Sequence, residues 1–181
     1  EAWERGDDLD AVIINASGCG TTGKDYSHMF KDDPDWADRA KRISALCQDV
    51  TEILHDLSLN QPVQKPNITV AYHSACSMQH GQKITQIPKD LLNQAGFQVL
   101  SPAEGHLCCG SAGTYNMTQP ELAATLGRRK AGHLDATGAD VVAAGNIGCQ
   151  MQIDLYGNLP VVHTVELLDW ATGGPKPAQL G

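Results

Sequence analysis

Apolar residues along this chain fall into short runs, separated by polar stretches that carry glycine and proline. Residues 11–15 (AVIIN) lie between Asp10 and the small residues of ASGCG, a pattern that predicts a buried strand. A polar loop is expected next, then a helix from about Pro34 to Leu57. Asp33 offers an N-cap, and Pro34 suits the first helical position. Trp36, Ala40, Ile43, Cys47, Val50, Leu54 and Leu57 recur alternately four and three apart, which puts them on one helical stripe.

Residues 58–67 (SLNQPVQKPN) carry two prolines and read as a linker. Strands are predicted at 68–73 (ITVAYH), 97–100, 140–144 (DVVAA) and 161–163. Helices are predicted at 87–95, closed by Gly96, and at 165–171. A Gly-rich loop spans 101–117. Thr118 and Glu121 have capping-box spacing for a helix that ends at Gly138, and Cys149 opens another helix. The tail GGPKPAQLG reads as disordered. Strands alternating with helices predict an α/β fold with a mostly parallel sheet flanked by helices. In such a sheet, loops leaving the C-terminal ends of strands line one edge. The loops holding Cys19, Cys76, Cys108 with Cys109, and Cys149 each follow a predicted strand, so distant cysteines are expected to converge.

Two segments echo each other. Val12 to Cys19 (VIINASGC) and Val141 to Cys149 (VVAAGNIGC) each run from an apolar strand through a small-residue turn to Gly-Cys. The echo predicts a duplicated module. Residues 1–60 would be the C-terminal remnant of a first copy, 61–171 a complete second copy, and 172–181 the tail.

Composition narrows the function. The 181 residues include 13 Lys+Arg against 21 Asp+Glu, a net charge of −8, which argues against a nucleic-acid partner. No apolar run reaches the roughly 18 residues of a membrane helix. The sequence opens on Glu1 without a Met and reads as a fragment. Six cysteines, two of them adjacent, suit an intracellular protein that keeps thiols for metal or redox work. Cys76 and Cys108 are separated by 31 residues and Cys109 and Cys149 by 39, neither a zinc-finger nor a ferredoxin spacing. Four thiolates suffice for tetrahedral zinc or a [4Fe–4S] cluster, whereas four buried core cysteines are the plainer alternative.

The strings HSAC76, LC108C109GSAGTYN and GNIGC149QMQI resemble the cysteine-rich CCG domain, a Rossmann-like module, and look most like the C-terminal part of the glycolate oxidase iron–sulfur subunit. The resemblance implies a non-catalytic electron-transfer subunit with an iron–sulfur cluster of [4Fe–4S] type. Its partners would be flavin-containing glycolate oxidase subunits and an N-terminal ferredoxin-like region of the same parent chain. Electrons would pass toward a quinone-type acceptor, from a cytoplasmic position peripheral to the inner membrane. The fuller family pattern ends in Cys-x-x-Cys. Here Asn146 holds the first place of that pair, and Ala16 holds it in the remnant, so a five-thiolate noncubane cluster is not expected. Cys76, Cys108, Cys109 and Cys149 are the expected ligands, with Cys19 added by the echo. Cys47 reads as core.

Around the ligands, Gly110 and Gly113 let backbone N–H groups approach sulfur. His73 and His106 are the histidines nearest the cysteines in sequence, ahead of His80 and His163, and suit a ligand or a donor to a thiolate. Tyr115, Asn116 and Asn146 are expected near the site. Arg128, Arg129 and Lys130 read as a solvated helix face. No paired-carboxylate, Ser/His/Asp or phosphate-loop signature is present, so no catalytic residue is expected. The rival readings are a zinc-bound or metal-free docking module, and thiol–disulfide chemistry at Cys108 and Cys109.

Overall fold

The run at 11–15 becomes β1 (Val12–Ile14), which pairs in parallel with β2 (Cys47–Asp49) to form a two-stranded sheet. A computed structural model describes residues 9–64 and 66–181, so residues 1–8 of the expected first-module remnant lie outside the described residues. A second sheet holds β3 (Thr69–His73), β4 (Gln98–Leu100), β5 (Val141–Ala144) and β6 (Val161–His163). All are parallel, in the order β4-β3-β5-β6. The fold is α/β, as the alternation predicted.

Central strands of a parallel sheet are buried on both faces, which is why β3 and β5 read as continuous apolar runs. On one face, Val70, Tyr72, Val141, Ala143 and Val162 pack against Leu91 and Leu92 of α4 (Ile87–Gln94) and against Leu167 and Leu168 of α8 (Thr164–Ala171). On the other, Ala71 and Val142 meet Leu134 of α6 (Pro120–Asp135) and Ile153 of α7 (Ile147–Tyr156). Period-two alternation puts His73 on this second face, beyond Ala71.

Several expectations need correction. The loop expected after β1 is helix α1 (Ser17–Met29). The single helix expected at 34–57 is α2 (Ala37–Leu46), then strand β2, then α3 (Val50–Asp56). Its stripe breaks because Cys47 pairs with Val12 in the small sheet. Asp49 then caps a new helix, with Thr51 N–H donating to Asp49 Oδ1 at 2.9 Å and Asp49 N–H donating to Glu52 Oε2 at 2.8 Å. Cys47 is core, as expected, but beside Val12 and Ile43 rather than within a long helix. Thr118 does not cap α6. It closes the one-turn helix α5 (Tyr115–Thr118), its hydroxyl donating to the Thr114 and Tyr115 carbonyls. The tail carries a 3-10 turn at Ala178–Leu180, and Leu180 packs against the first face of the sheet.

The small sheet is docked against the large one by specific bonds. Ser17 N–H donates to the Gly145 carbonyl at 3.1 Å, and the Ser17 and Ser77 hydroxyls are 2.7 Å apart. His163 Nδ1 accepts from Val165 N–H, so Nε2 carries the proton and donates to the Asn15 carbonyl at 2.8 Å.

Candidate metal centre

The chain leaves β3 toward β4 on one side, then returns across β3 to β5 and β6 on the other. The sheet therefore has a topological switch point between β3 and β5, and the crevice at the strand C-termini there is where such folds bind ligands. His73 is the last residue of β3, and Cys76 follows it, leading into a π-helical turn at Ser77–Gln82. Asn146 leaves β5 as the N-cap of α7, which puts Cys149 at the third helical position. Cys108 and Cys109 arrive from the long β4–α5 connection.

Sulfur atoms from these three segments meet. Cys76 contacts Cys108, Cys108 contacts Cys109, and Cys109 contacts Cys149. The ring of His73 and the sulfurs of Cys109 and Cys149 lie within 4.8 Å of one another, and all three residues are buried. All the cysteines are free thiols, including the adjacent pair. Main-chain N–H groups reach the sulfurs as well: Gly110 N–H donates to Cys108 Sγ at 3.3 Å. Asn146 bridges, its Nδ2 donating to Cys149 Sγ at 3.5 Å while its Oδ1 accepts from Gly18 N–H at 3.3 Å.

Along the four sulfurs the thiol pKa values are pushed alternately up and down. Contacts from the Cys109 and Cys76 thiols, against burial, hold Cys108 down to about 2. Cys149 is held down to about 5 by the Cys109 thiol first, against burial, with help from His73 and Asn146. Cys76 is pushed up by its contact with Cys108 and by burial. Cys109, between two thiolates, is pushed up by Cys108, Cys149 and burial together. In this arrangement protons hold together sulfurs that a soft cation would hold as thiolates.

His73 points the same way. It is 1% exposed, and among the described residues neither ring nitrogen makes a well-formed hydrogen bond. Buried polar atoms are nearly always partnered, and a metal or cluster is one partner that would satisfy this ring. Leucine at this position is therefore expected to stabilise the metal-free protein by roughly 1–3 kcal/mol, because an unsatisfied polar ring is removed. It should weaken metal binding at the same time. Urea unfolding and chelator competition measure the two effects, and a metal-free H73L protein less stable than the parent would contradict this account.

Other expected residues are placed less centrally. Cys19 is exposed at the third position of α1, just as Cys149 is third in α7, and both helices follow extended N-cap residues, Ala16 and Asn146. The structure brings the Cys19 turn to the site through Gly18 and Asn146, while the Cys19 thiol itself faces solvent. His106 is exposed, and its carbonyl faces His80 Nε2 at 3.5 Å. Tyr115 and Asn116 are half-buried in α5 behind the loop. Gly110 and Gly113 take positive φ values of 91° and 66°.

Lys130 overturns an expectation. Arg128 and Arg129 are exposed, but Lys130 is fully buried. Its spacing from Ala123, Gly127 and Leu134, all buried on α6, was the available signal.

A family model described as CCG, cysteine-rich domain, matches residues 70–154. The glycolate oxidase iron-sulfur subunit of Escherichia coli (strain K12) is 35% identical over 162 residues, covering 90% of this chain and 40% of that protein. The probable glycolate oxidase iron-sulfur subunit of Bacillus subtilis (strain 168) is 32% identical over 179 residues, covering 92% and 40%. Lactate utilization protein A of Shouchella clausii (strain KSM-K16) is 30% identical over 148 residues, covering 81% and 62%. The chain thus spans about two fifths of the length of the two glycolate oxidase relatives.

Proposed function

Because residues 70–154 are a cysteine-rich CCG domain in a chain homologous to glycolate oxidase iron–sulfur subunits, we propose that this chain holds an iron–sulfur centre and serves as an electron-transfer subunit. Electrons would arrive from a flavin-containing, glycolate-oxidising partner and leave toward a quinone-type acceptor. The observation that carries the reading is the convergence of four free thiols and an unpartnered buried histidine at the switch-point crevice. That donor set fits a soft metal or cluster.

An iron–sulfur cluster, when bound, accepts and releases electrons singly. The protein's own part is to bind and to tune. Cys76, Cys108, Cys109 and Cys149 supply thiolates, and His73 stands beside two of them. Gly110 N–H and Asn146 Nδ2 donate to sulfur, which makes the negative state less costly. Burial of Cys109 and Cys149 keeps water off the centre. We read residues 61–171 as one complete module and 1–60 as the end of another, with Cys19 marking the second ligand position. A ferredoxin-like region of the parent chain would complete the relay. Among the described residues no helix is long and apolar enough to cross a membrane, in keeping with a peripheral, cytoplasmic placement through partner subunits.

Anaerobic reconstitution with iron and sulfide tests the reading. On the order of four irons per chain are expected, with broad visible absorption that bleaches on reduction. Zinc also accepts nitrogen and sulfur ligands, and the close grouping of His73, Cys109 and Cys149 favours a zinc-bound docking module as the second reading. Stoichiometric zinc that iron and sulfide never displace, with no chromophore, would establish the second and end the first.

A further inference from the structure

Among the described residues Lys130 is the only lysine or arginine that is buried, and it is 0% exposed. Its ammonium donates to the carbonyls of Glu104 at 2.8 Å and Gly105 at 3.4 Å, in the segment that leads to Cys108. Among the described residues no carboxylate is bonded to it. The Glu104 side chain turns instead to Arg129 and to His133, the latter at 2.8 Å. Lys130 lies on the same buried face of α6 as Ala123, the residue against which Gly110 is packed. Cys109, Cys108, Glu104 and Cys149 are the acidic groups near enough to act on its ammonium. A buried cation without a paired anion costs several kcal/mol unless another charge offsets it. Burial pushes the Lys130 pKa down, and these neighbouring acidic groups oppose it.

We propose that the Lys130 ammonium is the built-in counter-charge of the sulfur-bound centre, favouring its more negative, reduced state, and that its two carbonyl bonds separately hold the Cys108–Cys109 segment in place. This rests on the iron–sulfur reading, and three substitutions separate its two parts. Lys130→Arg keeps the charge. Lys130→Gln keeps a donor for the carbonyls and loses the charge. Lys130→Met loses both.

The readout is the midpoint potential of the reconstituted centre, followed by visible absorption in a redox titration. The Gln and Met variants should shift alike to more negative potential, with Arg close to the parent. A Gln variant at the parent potential overturns the counter-charge, whatever Met does. If Met fails to fold, Gln and Arg still decide.

A parent protein that takes up no iron would end the iron–sulfur reading alone. The counter-charge is then read with zinc in the site, by competition with a chromophoric chelator. Thiolates gathered around a dication leave net negative charge, so the Gln and Met variants should both lose zinc affinity several-fold, with Arg close to the parent. A Gln variant at the parent affinity overturns the proposal, as does a parent that binds neither metal.

Discussion

Replacing Cys109 by serine is expected to abolish stoichiometric metal binding. Cys109 is the central sulfur: it touches Cys108 and Cys149, sits within 4.8 Å of His73, and is 2% exposed. A serine hydroxyl is a hard donor that does not ionise near neutrality, so it cannot replace a soft thiolate. The loss should exceed the roughly 10–100-fold that removing an outer hydrogen-bond partner costs. Cys47→Ser is the matched control. Cys47 is as buried, but it packs with Val12 and Ile43 in the small sheet, so its loss should cost stability and leave metal binding intact.

The pH dependence gives the same experiment a sign. Cys109 and Cys76 are held as thiols in the metal-free site, whereas Cys108 and Cys149 are held as thiolates. Metal must therefore displace protons from Cys109 and Cys76, and affinity should rise with pH through neutrality. Competition with a chromophoric zinc chelator on either side of neutrality measures both effects. A C109S protein that binds zinc as the parent does would show that the cysteines do not act together.

What was legible in the sequence is what periodicity and strand-end logic govern. β3, β5 and β6 are apolar runs bounded by turn residues, and the parallel topology followed from their alternation with helices. The rim placement of Cys76, Cys108, Cys109 and Cys149 followed from that topology. The misses have local causes. The stripe from Trp36 to Leu57 satisfies a helix throughout, but Asp49-Val-Thr-Glu52 is a capping box that restarts one, and β2 forms just before it. Helix α1 was already implied by the echo: if Cys149 lies in a helix after a small-residue turn, Cys19 should as well. Lys130 was misplaced because a lysine is read as solvated, although its helical spacing set it on the buried stripe. Asn146 as a bridge between Gly18 and Cys149 was beyond reach, since it depends on how the two sheets dock.

The second large effect is expected at Gly110, where the backbone rather than a side chain sets the site. Gly110 has φ of +91°, and a Cβ there would stand 3.2 Å from the Ala123 Cα and carbonyl carbon and closer still to the carbonyl oxygen. Those atoms belong to α6, which is packed on the sheet through Leu134 and cannot easily retreat. The dihedral alone costs alanine about 1–2 kcal/mol, and overlap with fixed backbone adds about 1–3 kcal/mol. Gly110→Ala should thus lose about 2–5 kcal/mol in urea unfolding. The same shift pulls the Gly110 N–H from Cys108 Sγ, now 3.3 Å away, so metal affinity should fall with stability. Gly113→Ala separates the two costs. Its φ is +66°, but among the described residues nothing lies within 4 Å of the added carbon, so only the dihedral term applies. Equal losses in the two variants would mean that the close approach of the cysteine loop to α6 does not shape the centre. A larger loss at Gly110 than at Gly113 would mean that the helix carrying Lys130 also fixes where Cys108 and Cys109 stand.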